Sequence, residues 1–215
     1  MNSITFSIIA LVLAYLIGSF PSAFIIAKLR RGMDIRQVGS RNMGAMNVFY
    51  KVGFWWGMLT LALDIGKGML GVGIAIWMGA HFFAQLAAGV MVIVGHNLPV
   101  FLKFKGGKGG ASCIGILVIL MPWGFLIYLA LFGLILLITR FPTLSYSLAF
   151  ICFPIMGAFL YNSPIYHPPA YIIYPIVLIL LPFLRYIPRI REMRRGSGGG
   201  GWKHVVMRKN LKDRL

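Results

Sequence analysis

Long apolar stretches, separated by short polar segments, run through most of the sequence. The first three cover residues 5–29, 53–78 and 82–102. Each can cross the roughly 30 Å hydrocarbon core of a bilayer, because a helix needs about 20 apolar residues to do so. Helices are predicted because the bilayer core contains no water to satisfy unpaired backbone groups.

The apolar residues 110–139 are too many for one span, and Pro122 and Trp123 mark a turn within them. We therefore predict a short helix followed by a full one. Two further apolar stretches follow, so the remaining predicted helices are residues 110–120, 122–139, 144–161 and 170–186. The whole pattern predicts an all-α integral membrane protein with seven transmembrane helices.

The positions of the loop lysines and arginines agree with seven spans. Seven helices put the two ends of the chain on opposite sides, and all the basic loop residues then fall on the side of the carboxyl-terminal tail. Basic loops mark the cytoplasmic side, so we expect the N-terminus outside and the C-terminus in the cytoplasm. Residues 1–188 form the predicted membrane domain, and residues 189–215 a basic, Gly-rich flexible tail.

Composition supports a membrane protein and changes the meaning of its charge. The 215 residues are 59% hydrophobic with a net charge of +17, and the mean hydropathy is +0.84. A soluble protein this basic would suggest nucleic acid, but this charge lies between lipid-length apolar segments. We therefore expect anionic lipid headgroups or anionic substrates as partners, and no nucleic acid. The histidines show no ligand spacing and both cysteines lie in apolar stretches, so no metal site is expected.

The segment "GHNLPVFLKFKGGKGGAS", residues 95–112, follows the third predicted helix. Its "KGGKGG" run combines ammonium groups with unshielded backbone N–H groups, just before a helix predicted to begin near Gly110. A Gly-rich turn that leads into a helix N-terminus binds anions readily, although the spacing of a Walker loop is missing. A basic cytoplasmic loop with turn glycines would explain the lysines. The additional glycines, His96 and Asn97 favour a phosphate site.

Three other polar groups stand out against the apolar background. The loop of residues 33–53 either offers Asn and Ser donors to an anion or is a solvated loop held by its turn residues. Asp64 and Lys67 lie on one face of the second predicted helix, and we predict a structural ion pair within the membrane. Thr143 and Ser145 either cap the sixth predicted helix or reach a phosphate in the same cavity.

These segments resemble a known family. "GSFPSAFIIAKLRRGMDIRQVGSRNMGAMNV" and "GHNLPVFLKFKGGKGGAS" are similar to two motifs of the bacterial acyl-phosphate glycerol-3-phosphate acyltransferases (the PlsY family), and "LDIGKG" and "RFPTLS" also fit. The resemblance covers about residues 18–196 and implies a multi-pass protein of the bacterial cytoplasmic membrane. It implies transfer of a fatty acyl group from acyl phosphate to the 1-hydroxyl of glycerol 3-phosphate, giving lysophosphatidic acid for phospholipid synthesis. No cofactor is implied, and a monomer is the favoured state.

Carried over to this sequence, the resemblance implies one site built from both motifs. Lys108 and the glycine amides would bind phosphate and offset charge that develops in the transition state, while Ser40 and Asn47 would position substrate. No obvious general base is present, so a phosphate oxygen of a substrate is the expected proton acceptor, and His96 is the best side-chain alternative. The other predicted substrate-binding residues are Arg41, Asn42, Gly44, Lys105, Gly106, Gly107, Gly109, Thr143 and Ser145.

The sequence departs from the family pattern at several places. Tyr50 stands where the first motif usually has an arginine, and "GSRN" replaces "GSGN", so we expect Arg41 to supply the missing cation. Tyr186 and Arg189 replace a usual His and Asn near the end of the last predicted helix. The second hypothesis is therefore a non-catalytic or altered-substrate paralogue that binds phosphorylated lipid precursors. A phosphate transporter ranks third, because no internal repeat is visible.

Overall fold

The computed structural model describes residues 3–140, 142–160, 168–185 and 187. Within these residues all regular secondary structure is helical, and loops connect the helices. Tyr161, Tyr186, Arg189 and the predicted tail at residues 189–215 lie outside the described part.

The first apolar stretch forms two helices, α1 (Ser3–Gly18) and α2 (Ser22–Arg31). The predicted span over residues 5–29 is thus confirmed as the apolar segment Ile4–Arg31, but it consists of two helices and not of one continuous helix. Pro21 has no N–H to continue the backbone ladder, and its ring would displace the carbonyl four residues earlier. The Ser19 hydroxyl donates to the Tyr15 carbonyl at 2.8 Å at the end of α1. The break places polar backbone and side-chain groups of residues 19–22 inside the bundle.

The next segments carry both predicted motifs. A short helix, α3 (Ala45–Lys51), closes the loop after α2 and precedes α4 (Phe54–Trp77). Helix α5 (Phe82–Asn97) is followed by a single 3₁₀ turn, Val100–Leu102. The second and third predicted spans are thus confirmed as helices, with α5 ending at Asn97 and the rest of its span in the 3₁₀ turn.

The remaining helices are α6 (Gly110–Leu120), α7 (Pro122–Thr139), α8 (Pro142–Ala149), α9 (Cys152–Leu160) and α10 (Pro168–Leu184). The predicted division at Pro122 is confirmed. The sixth predicted helix is instead broken between α8 and α9, so the expectation of one helix over residues 144–161 is wrong. Pro154 explains the break, because its ring would collide with the Phe150 carbonyl of a continuous helix.

The described helices have the lengths and composition of a membrane bundle. Four segments are long and apolar enough to cross a bilayer, namely Ile4–Arg31, Phe54–Trp77, Phe82–Leu102 and Pro122–Thr139. Three shorter apolar segments cover Gly110–Leu120, Leu144–Phe159 (α8 and α9 together) and Ala170–Leu184. Large apolar side chains such as Leu137 and Ile138 are exposed on the outside. Lipid can cover them, since lipid is as apolar as the side chains themselves.

Glycines let the central helices approach closely. A side chain at Gly95 would collide with the Tyr15 carbonyl, which brings α5 against α1. A side chain at Gly115 would collide with the Ile65 carbonyl, which brings α6 against α4. Small residues at such crossings are usual in membrane bundles, where dispersion contacts between backbones drive association. The result is a core of α1, α4, α5 and α6 that holds the beginning of α6 beside the end of α5.

Candidate functional site

The centre of the site is the glycine turn, which we define as residues 106–109. The chain folds back after the 3₁₀ turn, and the N–H groups of Gly106 and Gly107 donate to the carbonyls of Asn97 (3.2 Å) and His96 (3.0 Å). A side chain at Gly106 would meet the His96 carbonyl, and one at Gly107 would meet the His96 imidazole. Only glycine allows the turn to lie directly on the end of α5.

The glycine turn leads into the N-terminus of α6. Gly109 adopts a left-handed conformation with φ +89°, and its carbonyl accepts the N–H of Cys113 at 2.9 Å, the first bond of the helix. The amides that precede this bond point out of the helix end, where the helix dipole favours negative charge. The exposed Lys105 precedes the turn, and the half-buried Lys108 lies within it. This arrangement suits an anion with several oxygens.

Asn97 holds the glycine turn from the α5 side. In the amide orientation that satisfies its hydrogen bonds, its side-chain nitrogen donates to the carbonyls of Gly107 (3.2 Å) and Lys108 (3.1 Å). Its backbone carbonyl accepts from Gly106 and, at 2.7 Å, from a guanidinium nitrogen of Arg185. Asn97 and the end of α5 thus satisfy the polar backbone groups of the turn itself, and the amides that face a further partner are those at the start of α6.

The loop between α2 and α3 is organised around Asn47. This side chain is buried, and its amide nitrogen donates to the carbonyls of Ile35 (2.9 Å), Val38 (3.0 Å) and Asn42 (3.0 Å). Its side-chain oxygen accepts the Ser40 N–H at 3.2 Å. These bonds occupy the Asn47 amide, which thereby shapes the loop that carries Ser40.

The two motifs meet at Gly107. A Cβ atom at this glycine would lie only 2.6 Å from the Met43 carbonyl, in the loop of the first motif. Met43 itself is buried. The predicted residues Ser40, Asn42 and Gly44 belong to this loop, so the fold brings the loop and the glycine turn together as expected. Arg41 is exposed in the same loop, with a left-handed φ of 55°.

An ion pair fastens the start of the same loop. Arg36 bonds Asp34 at 2.7 Å, and its other terminal nitrogen donates to the Leu102 carbonyl at 3.4 Å. The hydrogen bond from the Arg36 side chain holds the pKa of Asp34 below its ordinary value, against a smaller opposing effect of burial. The same bond raises the pKa of Arg36. The loop is thus tied to the 3₁₀ turn that precedes the glycine turn.

Asp64 and Lys67 form the predicted intramembrane pair. Their charged groups lie 2.8 Å apart, and both side chains are almost fully buried. Asp64 also accepts the Ser22 hydroxyl at 2.6 Å, and Lys67 donates to the Phe20 carbonyl at 3.2 Å, at the break between α1 and α2. The pair therefore satisfies polar groups that the break exposes, which agrees with a structural role.

His96 lies between this pair and the glycine turn. Its Nδ1 atom is 3.8 Å from the Asp64 carboxylate, too far for a hydrogen bond, and it is buried with no partner among the described residues. Its Nε2 atom faces Gly107. Only 3% of His96 is exposed, so the imidazole supports the underside of the turn.

Helix α8 lies beside the end of the glycine turn, where α6 begins. The Tyr146 ring lies against Gly110 at the start of α6. Ser145 is buried inside α8, and its hydroxyl lies 3.0 Å from that of Thr139 at the end of α7, so this pair joins the two helices. The Thr143 side chain is outside the described part, so its predicted role stays a prediction. Tyr50 packs edge-on against Phe49, with ring centres 4.9 Å apart.

Some contributors were missed by the residue pattern. Ser22 and Arg185 were not among the predicted site residues, and Asn97 was noted only as a polar neighbour of the glycines. Ser22 had a local signal, since it is a hydroxyl inside an apolar stretch. The residue pattern gave no local signal for Arg185, because a basic residue at the cytoplasmic end of a span is ordinary.

Comparison with known proteins decides the family. The family model described as "Glycerol-3-phosphate acyltransferase" matches residues 8–196. The chain belongs to the glycerol-3-phosphate acyltransferase family. Among curated relatives, "Glycerol-3-phosphate acyltransferase 2" of Dehalococcoides mccartyi is 49% identical over 215 residues, covering 100% of both chains. The Bacillus subtilis glycerol-3-phosphate acyltransferase is 40% identical over 153 residues, 71% of this chain and 79% of the relative.

Solved structures agree with this membership of the glycerol-3-phosphate acyltransferase family. The chain is similar to PlsY, described as an integral membrane glycerol 3-phosphate acyltransferase, in its glycerol 3-phosphate form, with a TM-score of 0.76 and 31% identity. The match covers 88% of this chain and 92% of PlsY. The lysophosphatidic acid form matches with a TM-score of 0.73. With its apolar helices, this acyltransferase-family member is a multi-pass protein of the bacterial cytoplasmic membrane.

Proposed function

We propose that this protein transfers a fatty acyl group from acyl phosphate to the 1-hydroxyl of glycerol 3-phosphate and releases lysophosphatidic acid. The observation that carries the proposal is the glycine turn, which brings Lys108 and the N-terminal amides of α6 beside the first-motif loop. The PlsY structures in glycerol 3-phosphate and lysophosphatidic acid forms support the same acceptor and product for this chain. Both proposed substrates carry phosphate, which requires cationic and N–H donors.

The proposed reaction needs no acyl-enzyme intermediate. The 1-hydroxyl oxygen attacks the acyl carbon, the bond from that carbon to the phosphate oxygen breaks, and inorganic phosphate leaves. The hydroxyl proton passes to a phosphate oxygen of a substrate. Burial of His96 beneath Gly107 supports this acceptor over the imidazole, because the ring has little access to a substrate hydroxyl. Lys108 and the N-terminal amides of α6 offset the charge that develops on the reacting oxygens.

The loop of the first motif is proposed to hold the second phosphate-bearing end. Ser40, Asn42 and the Gly44 backbone line the loop that meets Gly107, and Arg41 lies on its exposed side. Asn47 acts by shaping this loop, since its amide is bonded to three carbonyls. Thr143 and Ser145 remain proposed contributors from α8.

We also propose seven spans with the N-terminus outside and the C-terminus in the cytoplasm. The four long apolar segments and the three shorter helices fall at the seven predicted positions, which supports the count. Single cysteines at Asn162 and at the exposed Lys105, introduced after the two native cysteines are replaced, should react from opposite sides of the membrane. Reaction of both with an impermeant reagent from outside would contradict this topology.

One assay tests the reaction. Purified protein is given acyl phosphate carrying a radiolabelled acyl chain, with or without glycerol 3-phosphate, and labelled lysophosphatidic acid is measured. Acyl-CoA is the control donor and should give no product. Binding of glycerol 3-phosphate without transfer would instead favour the non-catalytic or altered-substrate alternative, which the tyrosine at position 50 suggests. The proposed unit is a monomer with its membrane domain at residues 1–188.

A further inference from the structure

Arg185 joins the end of α10 to the end of α5. Its guanidinium donates to the Asn97 carbonyl at 2.7 Å, across 88 residues of sequence. A charged donor at this distance makes one of the stronger kinds of protein hydrogen bond. The contact therefore fixes the position of α10 relative to the residue that precedes the 3₁₀ turn.

Asn97 passes this constraint to the glycine turn. The carbonyl that accepts from Arg185 also accepts the Gly106 N–H at 3.2 Å. The Asn97 side chain holds the next two carbonyls, those of Gly107 and Lys108. Three consecutive residues of the turn are thus bonded to the residue that Arg185 bonds. Movement of Arg185 would therefore shift Asn97 and, with it, the three residues of the turn that Asn97 bonds.

The chemistry of the guanidinium suits this task. It is planar, always charged, and carries five N–H donors in a fixed arrangement, so it sets direction as well as distance. The bond to Asn97 uses one of these donors. Arg185 is exposed, while the Asn97 it bonds is buried. A cation at this place also makes the local electrostatic potential more positive, which favours the phosphate groups expected at the turn.

We propose that Arg185 is a positioning residue for acyl transfer, acting through Asn97 to hold the glycine turn, and with it the start of α6, in place. This inference rests on the proposed function. It assigns the end of α10 a task in the reaction. Arg185 does not need to touch either substrate for this role.

The first experiment compares Arg185→Met, Arg185→Lys and a matched control, Arg31→Met, in which another exposed cytoplasmic arginine at a helix end is lost. Loss of a charge-assisted hydrogen bond should lower kcat/KM for glycerol 3-phosphate about ten- to a hundredfold in Arg185→Met. Arg185→Lys should recover part of the loss, and Arg31→Met should stay within about twofold of the parent. Unchanged kcat/KM in folded Arg185→Met would overturn the proposal.

A double-mutant cycle separates positioning from mere stability. If Arg185 acts through Asn97, Arg185→Met and Asn97→Ala should lower kcat/KM non-additively, since both loosen the same turn. Additive losses would contradict the proposal, as would a lowered melting temperature with normal kinetics of the folded fraction.

A binding measurement keeps the two proposals distinguishable. Absence of acyl transfer in the parent protein would refute the proposed reaction. The positioning role would then be tested by measuring glycerol 3-phosphate binding. Thermal stabilisation by glycerol 3-phosphate should then need about tenfold or more ligand in Arg185→Met than in Arg31→Met. Equal ligand requirement in both variants would overturn the positioning role.

Discussion

The Asp64 carboxylate lies 2.8 Å from the Lys67 ammonium in the interior of the helix bundle. Removing one member leaves the other charge buried and unpaired, which typically costs about 3–5 kcal/mol. We therefore expect Asp64→Asn or Lys67→Met to lower the melting temperature in detergent more than the double variant does. Arg31→Met is the control. A double variant that is destabilised by the sum of the two single losses would show that the two charges do not depend on each other.

The Asn47 amide holds the first-motif loop by bonds to the carbonyls of Ile35, Val38 and Asn42. Asn47→Ala should reduce the free energy of unfolding by about 1–3 kcal/mol, because buried carbonyls lose their donor. Hydrogen exchange should increase at residues 35–47, and transfer should slow as the loop loosens. The exposed Gln37→Ala is the matched control. Unaltered exchange in Asn47→Ala would mean that the loop is held in another way.

Arg41 occupies a left-handed conformation, φ 55°, where the resemblance places a glycine. Arg41→Gly should stabilise the fold by up to about 1 kcal/mol, since glycine adopts this conformation without steric cost. The same change should raise KM for glycerol 3-phosphate about tenfold if the guanidinium serves the substrate phosphate. Tyr50→Arg on this background should partly restore affinity. Steady-state kinetics decide the matter, and an unchanged KM in Arg41→Gly would make Lys51 the next candidate.

Lys108 lies within the glycine turn, whereas Lys103 precedes it in an exposed, left-handed position. Lys108→Ala should reduce turnover at least ten- to a hundredfold, the expected loss for about 1.5–3 kcal/mol of charge-assisted contact. Lys103→Gly should leave turnover nearly unchanged and is the matched control. Both variants should insert and purify normally. Normal turnover in Lys108→Ala would remove this lysine from the mechanism.

The Arg36 hydrogen bond keeps the pKa of Asp34 below its ordinary value of 3.8. A carboxyl whose pKa is lowered on folding stabilises the protein above its unfolded pKa, and that contribution disappears as pH falls through the folded pKa. Above about pH 5, Asp34→Asn should therefore melt below the parent, and the difference should shrink below pH 4. Melting curves across this range test the sign. A difference that grows in acid would contradict it.

Much of the fold follows from local features of the sequence. The apolar stretches predict where helices lie, because a bilayer requires both length and internal hydrogen bonding. Pro122 divides α6 from α7 as predicted. The glycines before Gly110 marked the turn at the start of α6, since close backbone approach there leaves no room for side chains. All these features depend on neighbours along the chain.

The contacts that assemble the site were decided only by the tertiary structure. Ser22 meets Asp64 across 42 residues, and Arg185 meets Asn97 across 88. Hydropathy cannot specify such pairs, because a lipid-facing apolar residue and a buried one look alike in sequence. Whether Pro21 and Pro154 break their helices was equally undecided, since neighbouring polar groups determine whether a kink can be satisfied. The sequence by itself determined the spans and the location of the glycine turn, while helix packing decided which distant side chains hold that turn in place.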